Sequence, residues 1–110
     1  MSSPVRTVTP PAAERERVLE LLRAHAGAIR RRGVTRLAVF GSTARGEAEP
    51  GSDVDLLIEV DPAAPFGLFA LLDLKDDLAA LLGRPVDVAS PDAMRPWLRE
   101  AVLRDAVEVF

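Results

Sequence analysis

The residues that could do chemistry fall into one short stretch and one outlier. Asp53-Val54-Asp55 opens the apolar run Asp53–Val60 (DVDLLIEV), which reads as a strand. Side chains two apart on a strand leave the same face. Asp53, Asp55, Leu57 and Glu59 therefore share one face, and Val54, Leu56, Ile58 and Val60 the other. Two carboxylates side by side repel, and one is driven toward protonation unless a cation relieves the pair. Mg²⁺ meets that need, since it takes a few carboxylates together with substrate phosphate oxygens and water. The outlier is Asp87, set between Val86 and Val88 in a short apolar strand. A charge there is costly unless it is paired or bound to metal. If the two strands are neighbours, Asp87 completes a three-carboxylate cluster. Such a cluster can hold two metal ions about 3.5–4 Å apart, the arrangement used for phosphoryl and nucleotidyl transfer.

Gly41-Ser42 supplies the other half, ten residues before the aspartates. A glycine lets backbone approach phosphate closely, and a turn that starts a helical segment offers free N–H donors. The Ser42 hydroxyl adds a further hydrogen bond to a phosphate oxygen. Taken singly these elements are weak, because D-x-D usually marks a turn or a solvated strand end and Gly-Ser is usually loop. Their joint placement at strand edges is specific. Gly41 and Gly46 also fit G-x-x-x-x-G, but Glu47-Ala48 stands where a P-loop has Lys-Ser/Thr, which excludes that motif. Glu59 shares the face of the aspartates but lies four residues from Asp55, over about 12 Å along a strand, too far to be a ligand of the same ion.

These residues need elements to hold them. Residues 1–9 are polar and Pro-bearing, a loose arm. Thr9-Pro10 reads as the N-cap and first position of a helix whose apolar stripe is Val18, Leu21, Leu22, Ala28 and Ile29. Arg30, Arg31 and Arg32 suit the negative end of its dipole, a better account than a nucleic-acid patch, and Gly33 stops it. Thr35–Phe40 is the first strand, the loop GSTARGEAEPGS follows, and Asp53–Val60 is the second strand. Residues 66–82 form a second helix closed by Gly83, and Pro85–Ala89 a third strand. Residues 94–106 form a third helix with Trp97, Leu98, Ala101 and Val102 inward, and Val107–Phe110 adds a terminal strand. The order α-β-β-α-β-α predicts a one-domain α/β (α+β) fold over residues 1–110. Its sheet is small and mixed, with helices mainly on one face.

Other conspicuous residues have structural readings. Asp73, Lys75, Asp76 and Asp77 lie at helical spacing opposite Leu71, Leu72, Leu74 and Leu78, a solvated face. His25 reads as a half-buried packing residue of the first helix. Phe66, Phe69 and Trp97 read as core or interface anchors. Ser52 orients the loop before Asp53.

The stretch GSTARGEAEPGSDVDLLIEV resembles the signature of the minimal nucleotidyltransferases of the DNA polymerase β superfamily: Gly-Ser, about ten residues, Asp-x-Asp, then a third Asp on a later strand. The similarity extends to Ala44-Arg45-Gly46 and to Ser52-Asp53-Val54-Asp55-Leu56. It implies the nucleotidyltransferase fold, with Asp53 and Asp55 binding Mg²⁺ and Asp87 helping to activate the attacking hydroxyl. Gly41 and Ser42 would hold the triphosphate of ATP. Arg45 matches a recurrent arginine, and the resemblance leaves open whether it contacts phosphate or braces the loop against an acidic neighbour. Members of this family are often encoded beside a helical HEPN-domain protein, as the antitoxin of a toxin–antitoxin pair that transfers AMP to the toxin.

Composition narrows the classes. A chain of 110 residues suits one compact domain, and 48% hydrophobic with 28% charged residues is a globular balance. Residues 1–46 hold nine Arg against three acids, net +6, while residues 47–110 hold five basic residues against fourteen acids, net −9. The total of −3 argues against direct nucleic-acid binding, and with it against a polymerase. Having no cysteine excludes disulfides and thiol nucleophiles, and a single histidine disfavours a Ser/His/Asp triad. No apolar run reaches the roughly 18–20 residues that span a bilayer, and MSSPVRTVTPP lacks a signal-peptide core. A cytoplasmic protein without membrane contact is expected, whose acceptor site comes from another chain. The expected activity is Mg²⁺-dependent transfer of AMP from ATP to a hydroxyl on a HEPN partner. The competing expectation is a module that neutralises the partner by occlusion.

Overall fold

A computed structural model describes residues 11–49 and 51–110, with the side chains of Pro11 and Ala12 left aside. The arm expected over residues 1–9 and the Thr9-Pro10 helix start lie outside these residues. The described elements are α1 (Pro11–Ala24), α2 (Ala26–Arg31), β1 (Val34–Phe40), α3 (Gly41–Ala44), β2 (Val54–Val60), α4 (Leu68–Leu82), β3 (Val86–Ala89), a 3-10 turn (Pro91–Ala93), α5 (Pro96–Asp105) and β4 (Val107–Glu108). The sheet order is β3-β2-β1-β4, with β2 and β3 parallel and the other two pairings antiparallel. The mixed sheet is as the element order predicts.

The alternation along β2 decides how the layers stack. Val54, Leu56 and Ile58 are buried, and they meet Leu37 and Val39 of β1 in one apolar cluster. Val18 and Leu22 of α1, Ile29 of α2, and Leu74, Leu78 and Leu82 of α4 cover that face. Each fully buried Leu contributes about 1.5–3 kcal/mol. The stripe Leu74, Leu78, Leu82 repeats every four residues, and Asp73, Asp76 and Asp77 stay exposed on the far side as expected. Leu72 is exposed as well and Lys75 is half-buried, both against expectation. Gly83 ends α4 at φ +68°, its N–H donating to the Ala79 carbonyl at 2.9 Å. Left-handed backbone of that kind favours glycine.

Two expectations are corrected. The single first helix is two helices, broken by a turn at His25. Gly27, costing about 1 kcal/mol relative to Ala inside a helix, weakens the ladder there. His25 is exposed rather than half-buried, its Nδ1 2.9 Å from the Leu21 carbonyl. The second correction is the phase of α5. Trp97 and Leu98 point outward, at 68% and 39% exposure, and no residue of α5 is fully buried. Its half-buried positions are Arg99 and Val102, and Ala101, expected inward, is exposed. Apolar residues occur all round this helix, so periodicity does not select a face. An arginine can cover apolar surface with its stem, and that is the side turned to the sheet. Of the three aromatics read as anchors, Phe66 packs against the core, while Phe69 and Trp97 are exposed. No helix among the described residues is long and apolar enough to cross a membrane.

Candidate active site

Asp55 occupies the crossing point of the two strand pairings. In the antiparallel pair it faces Phe40, the last residue of β1, and in the parallel pair it faces Asp87. The parallel register therefore brings Asp87 beside Asp55, as the sequence pattern requires. Asp53 lies just outside β2, two residues before Asp55, and is exposed, as is Asp87; Asp55 is half-buried. Among the described residues, no three carboxylate or histidine side chains close on one point as a ready cation cage. The three aspartates lie at one end of the sheet, where β2 and β3 begin, without converging.

Gly41 follows Phe40 directly, at φ +71°. A Cβ there would overlap Asp55 Oδ2 and come within 3.2 Å of its Cγ. Backbone handedness and lack of room both demand glycine, and the group filling the space is the Asp55 carboxylate. Burial raises the Asp55 pKa above its ordinary value, and the charges of Asp87 and then Asp53 raise it further. Arg45 and Arg84 act in the opposite direction. Oxygen-only donors carrying excess negative charge fit Mg²⁺.

The loop between α3 and β2 is held at several points. Ser42 is half-buried in α3, and its carbonyl accepts from the Glu47 N–H at 2.8 Å. Arg45 bonds Glu47 through Nε at 3.1 Å and reaches Asp105 at the end of α5 at 3.4 Å. Of the two roles left open, the brace against acidic neighbours is the one these contacts display. Ser52 turns the loop through its Oγ, which donates to the Glu49 carbonyl at 2.8 Å. Glu59 is engaged elsewhere, 3.4 Å from Arg36.

Sequence reasoning passed over Arg84. Its side chain is only 9% exposed and points back to the loop. It donates to the Ser52 carbonyl through Nε (3.0 Å) and Nη2 (2.7 Å), to Ser52 Oγ (2.9 Å) and to Thr43 Oγ1 (3.3 Å). Nη1 lies 3.4 Å from Glu14 Oε1 of α1, an ion-pair contact without hydrogen-bond geometry. The available signal was position: Gly83-Arg84-Pro85 joins a helix stop to the strand carrying Asp87.

With this geometry, similarity to known proteins becomes informative. The family model described as a nucleotidyltransferase domain matches residues 22–109. The chain belongs to the nucleotidyltransferase family. It is a transferase enzyme with the nucleotidyltransferase fold, as the resemblance over residues 41–60 and Asp87 implies. Protein adenylyltransferase MntA of Thermococcus cleftensis is 37% identical over 86% of this chain and 94% of its own. A solved minimal nucleotidyltransferase structure is 39% identical, with a TM-score of 0.68 over 92% of this chain and 97% of that one. A complex of a tri-AMPylated Shewanella oneidensis HEPN toxin with an MNT antitoxin shares the fold at 18% identity. Its TM-score is 0.54, covering 91% of this chain and 71% of that one.

Proposed function

We propose that this nucleotidyltransferase transfers AMP from ATP to a hydroxyl of a HEPN-domain partner, acting as the antitoxin of a toxin–antitoxin pair. The observation that carries it is the Asp55 carboxylate, seated against Gly41 and in register with Asp87. The MntA relative and the AMPylated-toxin complex support the choice of AMP and of a protein acceptor. In this reading residues 1–110 are one catalytic domain. Asp53, Asp55 and Asp87 would hold Mg²⁺, one or two ions. When bound, that ion supplies charge neutralisation for the triphosphate and the departing pyrophosphate.

The chain's own residues do the rest. Gly41 and Ser42 receive the triphosphate where β1 ends, and the strand register aligns it with Asp55 and Asp87. The acceptor oxygen bonds to the α-phosphorus as the bond to the β-phosphate bridge breaks. Pyrophosphate leaves, and Asp87 takes the hydroxyl proton. Little covalent chemistry falls to the protein, so alignment and electrostatics supply the rate. Arg45 holds the loop between Glu47 and Asp105 beside this site.

The test is to incubate the chain with its genomic neighbour and ATP labelled at the α-phosphate. Asp53→Asn and Asp55→Asn are expected to abolish labelling while the chain stays folded. Undiminished labelling by both variants would sink the assignment. A second reading, neutralisation by binding alone, draws on the outward Trp97, Leu98 and Phe69, surface suited to a partner. Inhibition of the partner without nucleotide, and by both variants, would establish it instead.

A further inference from the structure

Arg84 stands outside the proposed chemistry, yet it is bonded to two of the three segments that carry it and begins the third. Ser52, whose carbonyl and hydroxyl it holds, precedes Asp53. Thr43, whose hydroxyl it also holds, follows Ser42 and is 1% exposed. The next residue, Pro85, accepts the Val54 N–H at 2.8 Å, pinning the residue between the two aspartates. Two residues further on lies Asp87.

We infer that Arg84 is a positioning residue for nucleotidyl transfer: its guanidinium fixes Asp53 against Ser42 at a spacing set by the strand that carries Asp87. The inference rests on the reading of Asp53, Asp55 and Asp87 as the site. Its acceptors show what the residue is for. They are the Ser52 carbonyl and the hydroxyls of Ser52 and Thr43, in the loop before β2 and in α3. A planar fork with donors in fixed directions can hold several acceptors in one orientation, whereas an ammonium on a flexible stem cannot. Glu14 then fixes the guanidinium from behind, so the bonded group is itself held by α1.

The experiment measures binding of a non-hydrolysable ATP analogue with Mg²⁺ by calorimetry, alongside the melting temperature of each variant. Arg84→Met is expected to weaken binding at least about tenfold, and Arg84→Lys to recover part of that loss. Should Arg84→Met fail to fold, Arg84→Lys and Ser52→Ala carry the test, each expected to bind more weakly than the unaltered chain. Ile29→Ala serves as the control, because Ile29 of α2 is buried in the core and takes no part in these bonds. It should melt at least as early as Arg84→Lys and bind within about twofold of the unaltered chain. Arg84 variants that bind like the unaltered chain overturn the inference. So does an Ile29→Ala variant that loses binding as they do, since stability alone would then explain the loss. If the unaltered chain binds no analogue, the reading of the site fails and the inference falls with it. If it binds and Asp55→Asn does not, any result for Arg84 bears on the inference alone.

Discussion

The two faces of β2 are made from neighbouring residues and do opposite work. Leu56 has no exposed surface and meets its neighbours only through apolar contact. Asp55, one residue away, is half-buried among like charges and has its carboxyl pushed upward. The first face lowers the energy of the fold, and the second raises it, in the proposed reading to keep a charge where a substrate needs one. A strand's period of two lets a sequence carry both on consecutive residues.

The largest expected effect belongs to the apolar face. Leu56→Ala should cost about 2–5 kcal/mol in denaturant unfolding, through lost burial and the cavity left behind. A smaller loss would mean that face is less rigid than its burial implies. Gly41→Ala tests the junction between the faces. Its left-handed backbone should cost about 1–2 kcal/mol, and the displaced Asp55 carboxylate should also abolish labelling. Retained labelling would break the link between Gly41 and Asp55.

Glu14 sharpens the comparison because it reaches the site side from a helix of the core side. Burial would raise its pKa, but the Arg17 hydrogen bond and charge, and then Arg84, hold it below the ordinary glutamate value. Its stabilisation is therefore present above the unfolded pKa and lost as pH falls through the folded one. Glu14→Gln should cost on the order of 1 kcal/mol at neutral pH and match the unaltered chain in acid, as read by melting across pH. A gap that persists in acid would assign the effect to packing. Asp55→Asn should show the opposite sign. A raised folded pKa means stability is lost as pH rises through it, so the variant should melt above the unaltered chain at neutral pH and converge with it in acid. A lower melting temperature would erase the division between the faces.

Much of this was legible in the sequence because it depends on local spacing. Val54, Leu56 and Ile58 announce a buried face by alternation, and Asp87 betrays itself as a charge inside an apolar strand. Gly-Ser and D-x-D, each weak alone, were informative together. The break at His25, the rotation of α5 and the grip of Arg84 were not legible. The break is local, but Gly27 lowers helix propensity without marking a stop. The other two depend on partners far along the chain: Trp97 is outward because the sheet receives the Arg99 side, and Arg84 matters because Ser52 lies 32 residues earlier. Gly41 was partly legible, its glycine requirement foreseen but attributed to phosphate, whereas the Asp55 carboxylate occupies the space.

The parallel pairing of β2 with β3 has a kinetic consequence. β1 and β2 are joined by a short connection and can pair locally, but β3 can dock only after α4 has crossed between them. Closing that longer loop comes at an entropic cost before its contacts form, so such pairing is slow. Asp87 would thus arrive beside Asp55 late in folding. In the proposed reading, that crossover is the step that completes the carboxylate set of the site.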